Sequence, residues 1–232
     1  MSTERNCPGE ILLQLQNVSK FRSGQKILSD ATLTIRRNRI IGVIGENGIG
    51  KTTLLKLMAG LLKPDQGSIV KTVDSPSYLI SADHFYEWMT VADSIQFYDS
   101  FFTDFDRERA LLLTAQSDLE SRKRIRRLSA GQQEKLCMIL SLCRESSLYL
   151  FDEPFGGTDP LFKKDMKRFL LENMADNSTI VMATHLLKDL EYLFDEVIFL
   201  TGSEIRQTET EEIRSHFHQS VEQYYLEEVS HG

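Results

Sequence analysis

The sequence predicts an α/β fold built on a mainly parallel sheet, and three observations carry that prediction. The runs "IIGVI" (Ile40 to Ile44), "LYLF" (Leu148 to Phe151) and "TIVMAT" (Thr179 to Thr184) are almost continuously apolar, as parallel strands covered on both faces are. Between them the spacing changes to i, i+4, i+7, i+8, at Leu54, Met58, Leu61 and Leu62 and again at Phe162, Met166, Phe169 and Leu170. Each set is one apolar stripe of a helix. Finally, "LLQLQ" (Leu12 to Gln16) and "ATLTIR" (Ala31 to Arg36) alternate with period two, the pattern of antiparallel strands with one covered face.

Taken in order, the chain begins with "MSTERNCPGE", too polar to act as a signal peptide. The antiparallel pair follows, then the buried strand at Ile40 to Ile44. The first helix is expected to run from the glycine loop to Pro64, which cannot continue it. Asn38 stands just before that strand, where glycine is the common turn former, which suggests a different turn. A 232-residue chain with 41% hydrophobic and 26% charged residues is bounded to one compact unit with a real core. The net charge of −7 argues against a nonspecific nucleic-acid binder. No apolar run approaches the roughly 20 residues that cross a bilayer. The three cysteines, Cys7, Cys137 and Cys143, have no metal-site spacing and read as reduced, structural residues of a cytoplasmic protein. The acidic end is expected to carry a short amphipathic helix, with His216 and His218 solvated.

Chemistry enters at "GENGIGKTT", Gly45 to Thr53. Three glycines in six positions allow positive φ and close backbone approach to a ligand. Gly45 to Thr52 reads G-x-x-x-x-G-K-T, after a strand and before a helix, which is the context of a phosphate-binding P-loop. Amides from Gly48 to Thr53 cradle phosphate at the helix N-terminus, Lys51 reaches the β- and γ-phosphates, and the Thr52 hydroxyl binds Mg²⁺. At "LYLFDEP" two carboxylates leave the carboxyl end of a buried strand, the edge where ligands of such sheets bind. Asp152 takes the metal role and Glu153 the water role. In "RRLSAGQQEKL", Ser129 and Gln132 form a capping box, so a second helix starts with Gly131 in its first turn and its backbone donors exposed.

These motifs in this order, with the histidine of "ATHLL", resemble the ATP-binding subunits of ABC transporters, whose signature is usually written LSGGQ. The resemblance covers about residues 12 to 205. It implies a P-loop NTPase core over 1–77 and 129–232, with an antiparallel β subdomain and an inserted helical subdomain over 78–128, in one domain. It also implies ATP and Mg²⁺ as cofactors, and a head-to-tail dimer, homo- or heteromeric, in which Ser129, Gly131 and Gln132 contact a partner's nucleotide. By the same comparison Phe21 stacks on adenine, Asn47 joins the nucleotide-binding loop, Asp159 is the D-loop aspartate although Thr158 replaces the usual leucine, and His185 senses the γ-phosphate. Glu153, His185 and Lys51 are thus the expected catalytic set. The expected partner is an integral membrane permease, to which the subunit would be peripheral on the inner face of the cell membrane. The stretch "DHFYEWMTVADSIQFYDSFFTDFD" looks most like cassettes that serve exporters. Ser81 stands where the family has a glutamine, with Asp83 able to substitute only if the loop is shifted. Two rival readings are a soluble ABC ATPase acting on nucleic acid or ribosomes, raised by "RKRIRR" (Arg122 to Arg127), and a nucleotide-sensing module, raised by Ser81. The chain has neither the second cassette nor the coiled-coil insertion of such soluble relatives, so nucleic acid is not an expected partner.

Overall fold

A computed structural model describes residues 9–73, 75–155, 159–185 and 187–231. Cys7 and Thr158 lie outside the described residues. Two sheets form the frame. Strands β1 (Ile11–Arg22), β2 (Gln25–Arg36) and β4 (Gln66–Lys71) make an antiparallel sheet in the order β2-β1-β4. The second sheet has the order β5-β6-β7-β3-β8-β9, from β3 (Ile40–Ile44), β5 (Ser77–Tyr78), β6 (Leu148–Asp152), β7 (Thr179–Ala183), β8 (Glu196–Thr201) and β9 (Glu204–Glu209). Its strands are parallel except for the hairpin strand β9.

The apolar runs occupy the middle of the second sheet because both of its faces are covered. All five residues of β7 are buried, as are the first four of β6. One face packs on α1 (Lys51–Ala59) and the antiparallel sheet, where Leu54, Leu55, Leu57 and Met58 are fully buried. Such side chains each contribute about 1.5–3 kcal/mol. The other face meets α5 (Pro160–Asn173), α7 (Thr210–His216) and α8 (Val221–His231). A third cluster joins α2 (Val91–Phe101) and α3 (Arg107–Gln116) to α4 (Ala130–Leu142). Helix α4 is buried on every side from Leu136 to Leu142, as a helix apolar all round should be.

Three local expectations need correction. The first helix ends at Ala59, not at Pro64, because Gly60 takes a left-handed φ of 79° and caps it, leaving Leu61 exposed. Strands β1 and β2 extend well beyond their alternating cores, because register shifts near Val18 and left-handed Asn17 and Asp30 let pairing continue past polar residues. Asn38 itself adopts φ 61°, so it makes the left-handed turn for which glycine is the common choice. Cys137 and Cys143 are buried, and burial pushes both thiols up to about 12. His216 and His218 are exposed, in and just after α7.

The two sheets are joined by a side chain. Gln207 of β9 donates to the Thr34 carbonyl at 2.9 Å and accepts from the Thr34 N–H at 3.1 Å, as a neighbouring strand would. It also donates to Glu196 at 2.6 Å. Alongside, the Ser29 N–H donates to the Ser203 carbonyl at 2.7 Å.

A second junction lies beyond the end of α4. Arg144, almost fully buried, donates through Nε and Nη2 to the two oxygens of Asp104, each at 2.7 Å, and through Nη2 to Ser75 Oγ at 2.7 Å. Its guanidinium lies 3.8 Å from the centre of the Phe102 ring. Nearby, Arg109 of α3 donates to the Leu142 carbonyl at 3.3 Å. These contacts fix the helical layer to the end of α4 and to the segment leading into β5.

Candidate functional site: a phosphate-binding cleft at the strand ends

Strand β3 stops at Ile44, and α1 begins at Lys51. Gly50, just before the helix, has φ 122°, which an L-residue rarely adopts, and a Cβ there would lie 2.8 Å from Ile27. The loop therefore closes against β2 and leaves the first amides of α1 without intrahelical partners, a natural place for an anion. Lys51 is 7% exposed, and its ammonium donates to the carbonyls of Gly45 at 2.8 Å and Glu46 at 3.1 Å. These two bonds tie the charge to the loop itself.

A cleft of about 650 Å³ opens beside this loop, lined by Phe21, Asn47, Gly48, Gly50, Lys51, Thr52, Thr53, Asp152 and Glu153, with Lys20 and Arg22 on the side of β1. It shares Thr52, Asp152 and Glu153 with a second cleft of about 420 Å³ that continues past Tyr78, Ser81 and Asp83 to Gln133 and Glu134. The fold thus brings an aromatic ring, a lysine, a hydroxyl and two carboxylates to one cleft. Thr52 and Asp152 offer hard oxygen donors, the set that suits Mg²⁺.

Strand β6 places the carboxylates. Asp152 is its last residue, and Glu153 follows with φ 49° while its N–H donates to the Ala183 carbonyl at 2.9 Å. His185, just past β7, pairs its Nδ1 with Glu153 Oε2 at 2.9 Å. The same carboxylate oxygen faces the His185 N–H at 3.4 Å. The histidine and the glutamate therefore form one hydrogen-bonded unit.

Other expected residues lie apart from it. Ser129 caps α4 by accepting from the Gln132 N–H at 3.2 Å, while Gln132 Oε1 accepts from the Ser129 N–H at 3.1 Å. Ser129, Gly131 and Gln132 line neither cleft. A Cβ on Gly131 would lie 2.8 Å from the ring of Phe162 on α5, so a larger residue at this position would have to push that ring aside. Asp159 caps α5 through Leu161 N–H at 3.0 Å and also lies outside both clefts. Ser81 starts a 3-10 turn over Ala82–His84 and donates to Asp83 at 3.3 Å, so both residues belong to the wall of the smaller cleft.

Two residues of this region have no motif to announce them. Asp65, in the turn after α1, accepts from the Phe21 N–H at 2.7 Å and from Lys20 Nζ at 3.0 Å. These bonds hold its carboxyl below the ordinary range, Phe21 contributing most. Tyr78 directs its hydroxyl at Asp152. Burial, with the negative charge of Asp152 added, pushes the phenol well up, so it stays protonated and donates. The signal for Asp65 lies in the turn "KPDQG"; nothing local marks Tyr78. Replacing Asp65 by Ala is expected to free the Phe21 backbone and raise the Kd for ATP by about two- to tenfold. A binding titration with an unchanged Kd would show that Phe21 needs no such support.

The sequence model of a family described as ABC transporter matches residues 28–156, more than half of the chain. The chain belongs to the ABC transporter family. It is an ABC nucleotide-binding domain, and its relatives agree. The ABC transporter ATP-binding protein YtrB of Bacillus subtilis is 28% identical over 205 residues, covering 84% of this chain and 70% of YtrB. The aliphatic sulfonates import ATP-binding protein SsuB 1 of Rhodococcus jostii is 30% identical over 187 residues, covering 77% of this chain and 75% of SsuB 1. Among solved structures, an ATP-binding subunit of an ABC transporter superposes with a TM-score of 0.81 at 24% identity, covering 93% of this chain and 98% of that one. A dimeric ATP-binding cassette bound to ADP and Pi superposes with a TM-score of 0.73 at 21% identity, covering 85% of this chain and 98% of that one. Both likenesses bear on the ABC fold.

Proposed function

We propose that this ABC nucleotide-binding domain hydrolyses ATP with Mg²⁺ and that hydrolysis drives a separate membrane permease. The observation that carries the reading is the cleft in which the glycine loop, Lys51, Thr52, Asp152 and Glu153 meet, with His185 bonded to Glu153. Lys51 and the loop amides bind the phosphates and offset their charge. Thr52 and Asp152 would hold Mg²⁺, which supplies further neutralisation on the phosphoryl oxygens. Tyr78 orients Asp152. Glu153 takes a proton from the attacking water, and His185 fixes the direction in which its carboxylate points. Phe21 offers its ring to the adenine.

The signature residues Ser129, Gly131 and Gln132 sit at the capped head of α4, away from the loop of their own chain. In a head-to-tail dimer, homo- or heteromeric, they complete the partner's site, and Asp159 couples the two. The helical segment 78–128 meets the permease, which makes the chain peripheral on the inner face of the membrane. No helix among the described residues is long and apolar enough to cross it. We assign export as the direction from the resemblance of residues 83–106 to exporter cassettes; transport into and out of sealed vesicles reads it directly.

The test is a phosphate-release assay on the purified chain, alone and with its co-purified membrane partner, with Mg²⁺ and with a chelator. Activity that needs Mg²⁺ and falls to background in Lys51→Ala is expected, with Lys51→Ala also losing ATP binding. An Lys51→Ala protein that binds ATP as before would remove the loop from the mechanism.

A further inference from the structure

The chain enters α4 through a turn that a side chain of α4 itself holds. Residues Ile125–Arg127 form a 3-10 turn, closed by the Leu128 N–H, which donates to the Ile125 carbonyl at 3.0 Å. Ser129 follows as the cap of α4. Gln133, the fourth residue of the helix, turns its amide back over this entrance. Its Nε2 donates to the Ile125 carbonyl at 3.0 Å and to the Leu128 carbonyl at 3.3 Å. A glutamine amide carries two N–H groups, so these two carbonyls take all that it can give. On its other side the turn is fastened to the start of α2. There the Ile125 N–H donates to the Met89 carbonyl at 3.0 Å, and the Val91 N–H donates to the Lys123 carbonyl at 3.1 Å. Ile125 and Leu128 are buried in the cluster of the helical layer, whereas Ser129 and Ala130 are exposed. The head of α4 therefore faces outward from a support that is fixed beneath it.

We propose that Gln133 is a positioning residue for the head of α4: its amide sets the direction in which Ser129, Gly131 and Gln132 face the nucleotide held by a second chain. This rests on the reading of that head as the completing half of a partner's site. The capping box cannot supply the direction. It ties Ser129 to Gln132 within one turn and moves with whatever precedes it. The peptide that joins Leu128 to Ser129 is what aims the cap, and the carbonyl that Gln133 holds belongs to that peptide. Holding it together with the Ile125 carbonyl removes rotations of the entrance before the second chain arrives. Contacts that remove alternatives beforehand strengthen association. Gln133 also lines the smaller cleft of its own chain, but not the larger one where the glycine loop lies. Its loss should therefore reach the partner's site and spare phosphate binding at its own loop.

Gln133→Met keeps the length of the side chain and removes both donors, while Gln133→Lys restores N–H donors at similar reach. The measurements, all on the full chain, are the Kd of the isolated protein for a fluorescent ATP analogue and the steady-state ATP turnover with its co-purified membrane partner. Gln133→Met is expected to lower turnover about three- to tenfold while the Kd stays within about twofold of the original. Gln133→Lys is expected to recover most of the lost turnover. A Gln133→Met protein that turns over ATP like the original overturns the proposal. So does a Kd that rises in step with the loss of turnover, or a Gln133→Lys protein as slow as Gln133→Met. Ser129→Arg, which places a bulky charge on the head itself, is the control: if it stops turnover while Gln133→Met changes nothing, only the role of Gln133 fails. If Ser129→Arg turns over ATP normally, the head of α4 completes no nucleotide site, and the reading beneath the proposal falls with it.

Discussion

Glu153→Gln should lower ATP turnover by about 10²- to 10⁴-fold while leaving ATP bound, the range a positioned general base contributes. Glutamine has the shape of glutamate and tolerates the same backbone, so the left-handed turn at Glu153 and its N–H bond to Ala183 are retained. What is lost is the ability to take a proton. The side-chain oxygen can still meet the imidazole, so His185 remains near its present place. The variant should therefore separate binding from chemistry: equilibrium binding close to the original, phosphate release close to background, and dimer accumulating with ATP in size-exclusion chromatography. Equal turnover in the variant and the original would remove Glu153 from the base role. A variant that no longer binds ATP would show that the carboxylate serves the ground state instead.

The second large effect concerns the fold. Removing the Asp104 carboxylate with Asp104→Ala leaves the Arg144 guanidinium buried without its counter-charge, which typically costs about 3–5 kcal/mol. For a chain of this size each kcal/mol moves the Tm by about 2–4 °C, so a fall of roughly 6–20 °C is expected in a thermal melt. Arg144 also serves Ser75 and stacks on Phe102, so the loss should loosen the helical layer and the lead into β5 together. The double replacement Arg144→Met with Asp104→Leu should recover much of the loss, since neither charge is then stranded. A melt within about 2 °C of the original for Asp104→Ala would mean that water replaces the carboxylate without difficulty.

What could be read from the sequence follows the range of the interactions involved. Strands β3, β6 and β7 were legible because burial on both faces leaves an unbroken apolar run, and α4 because Ser129 and Gln132 sit three residues apart in one capping box. The cleft residues of the glycine loop and of "DEP" were legible for the same reason, each being a local pattern at the end of a strand. The end of α1 was not, since Pro64 is the more visible breaker while Gly60 acts earlier through its left-handed conformation. Asp65 and Tyr78 escaped because each reaches its partner across a long stretch of chain: Asp65 to Phe21, Tyr78 to Asp152. Side-chain contacts between loops have no period, so only the folded chain displays them.

The bond from Gln207 to both polar groups of Thr34 has a mechanical meaning. It welds the edge of β2 to the sheet that carries the glycine loop, and Phe21 on β1 is paired to β2 through Lys26. The ring of Phe21 and the ammonium of Lys51 thus stand at two marks on one rigid ruler. On the proposed function such a ruler selects its ligand by length, because a nucleotide too short to reach both marks would give up one set of contacts. The helical layer is held by a different device, the buried Arg144–Asp104 pair together with an isolated backbone bridge between Phe105 and Arg144.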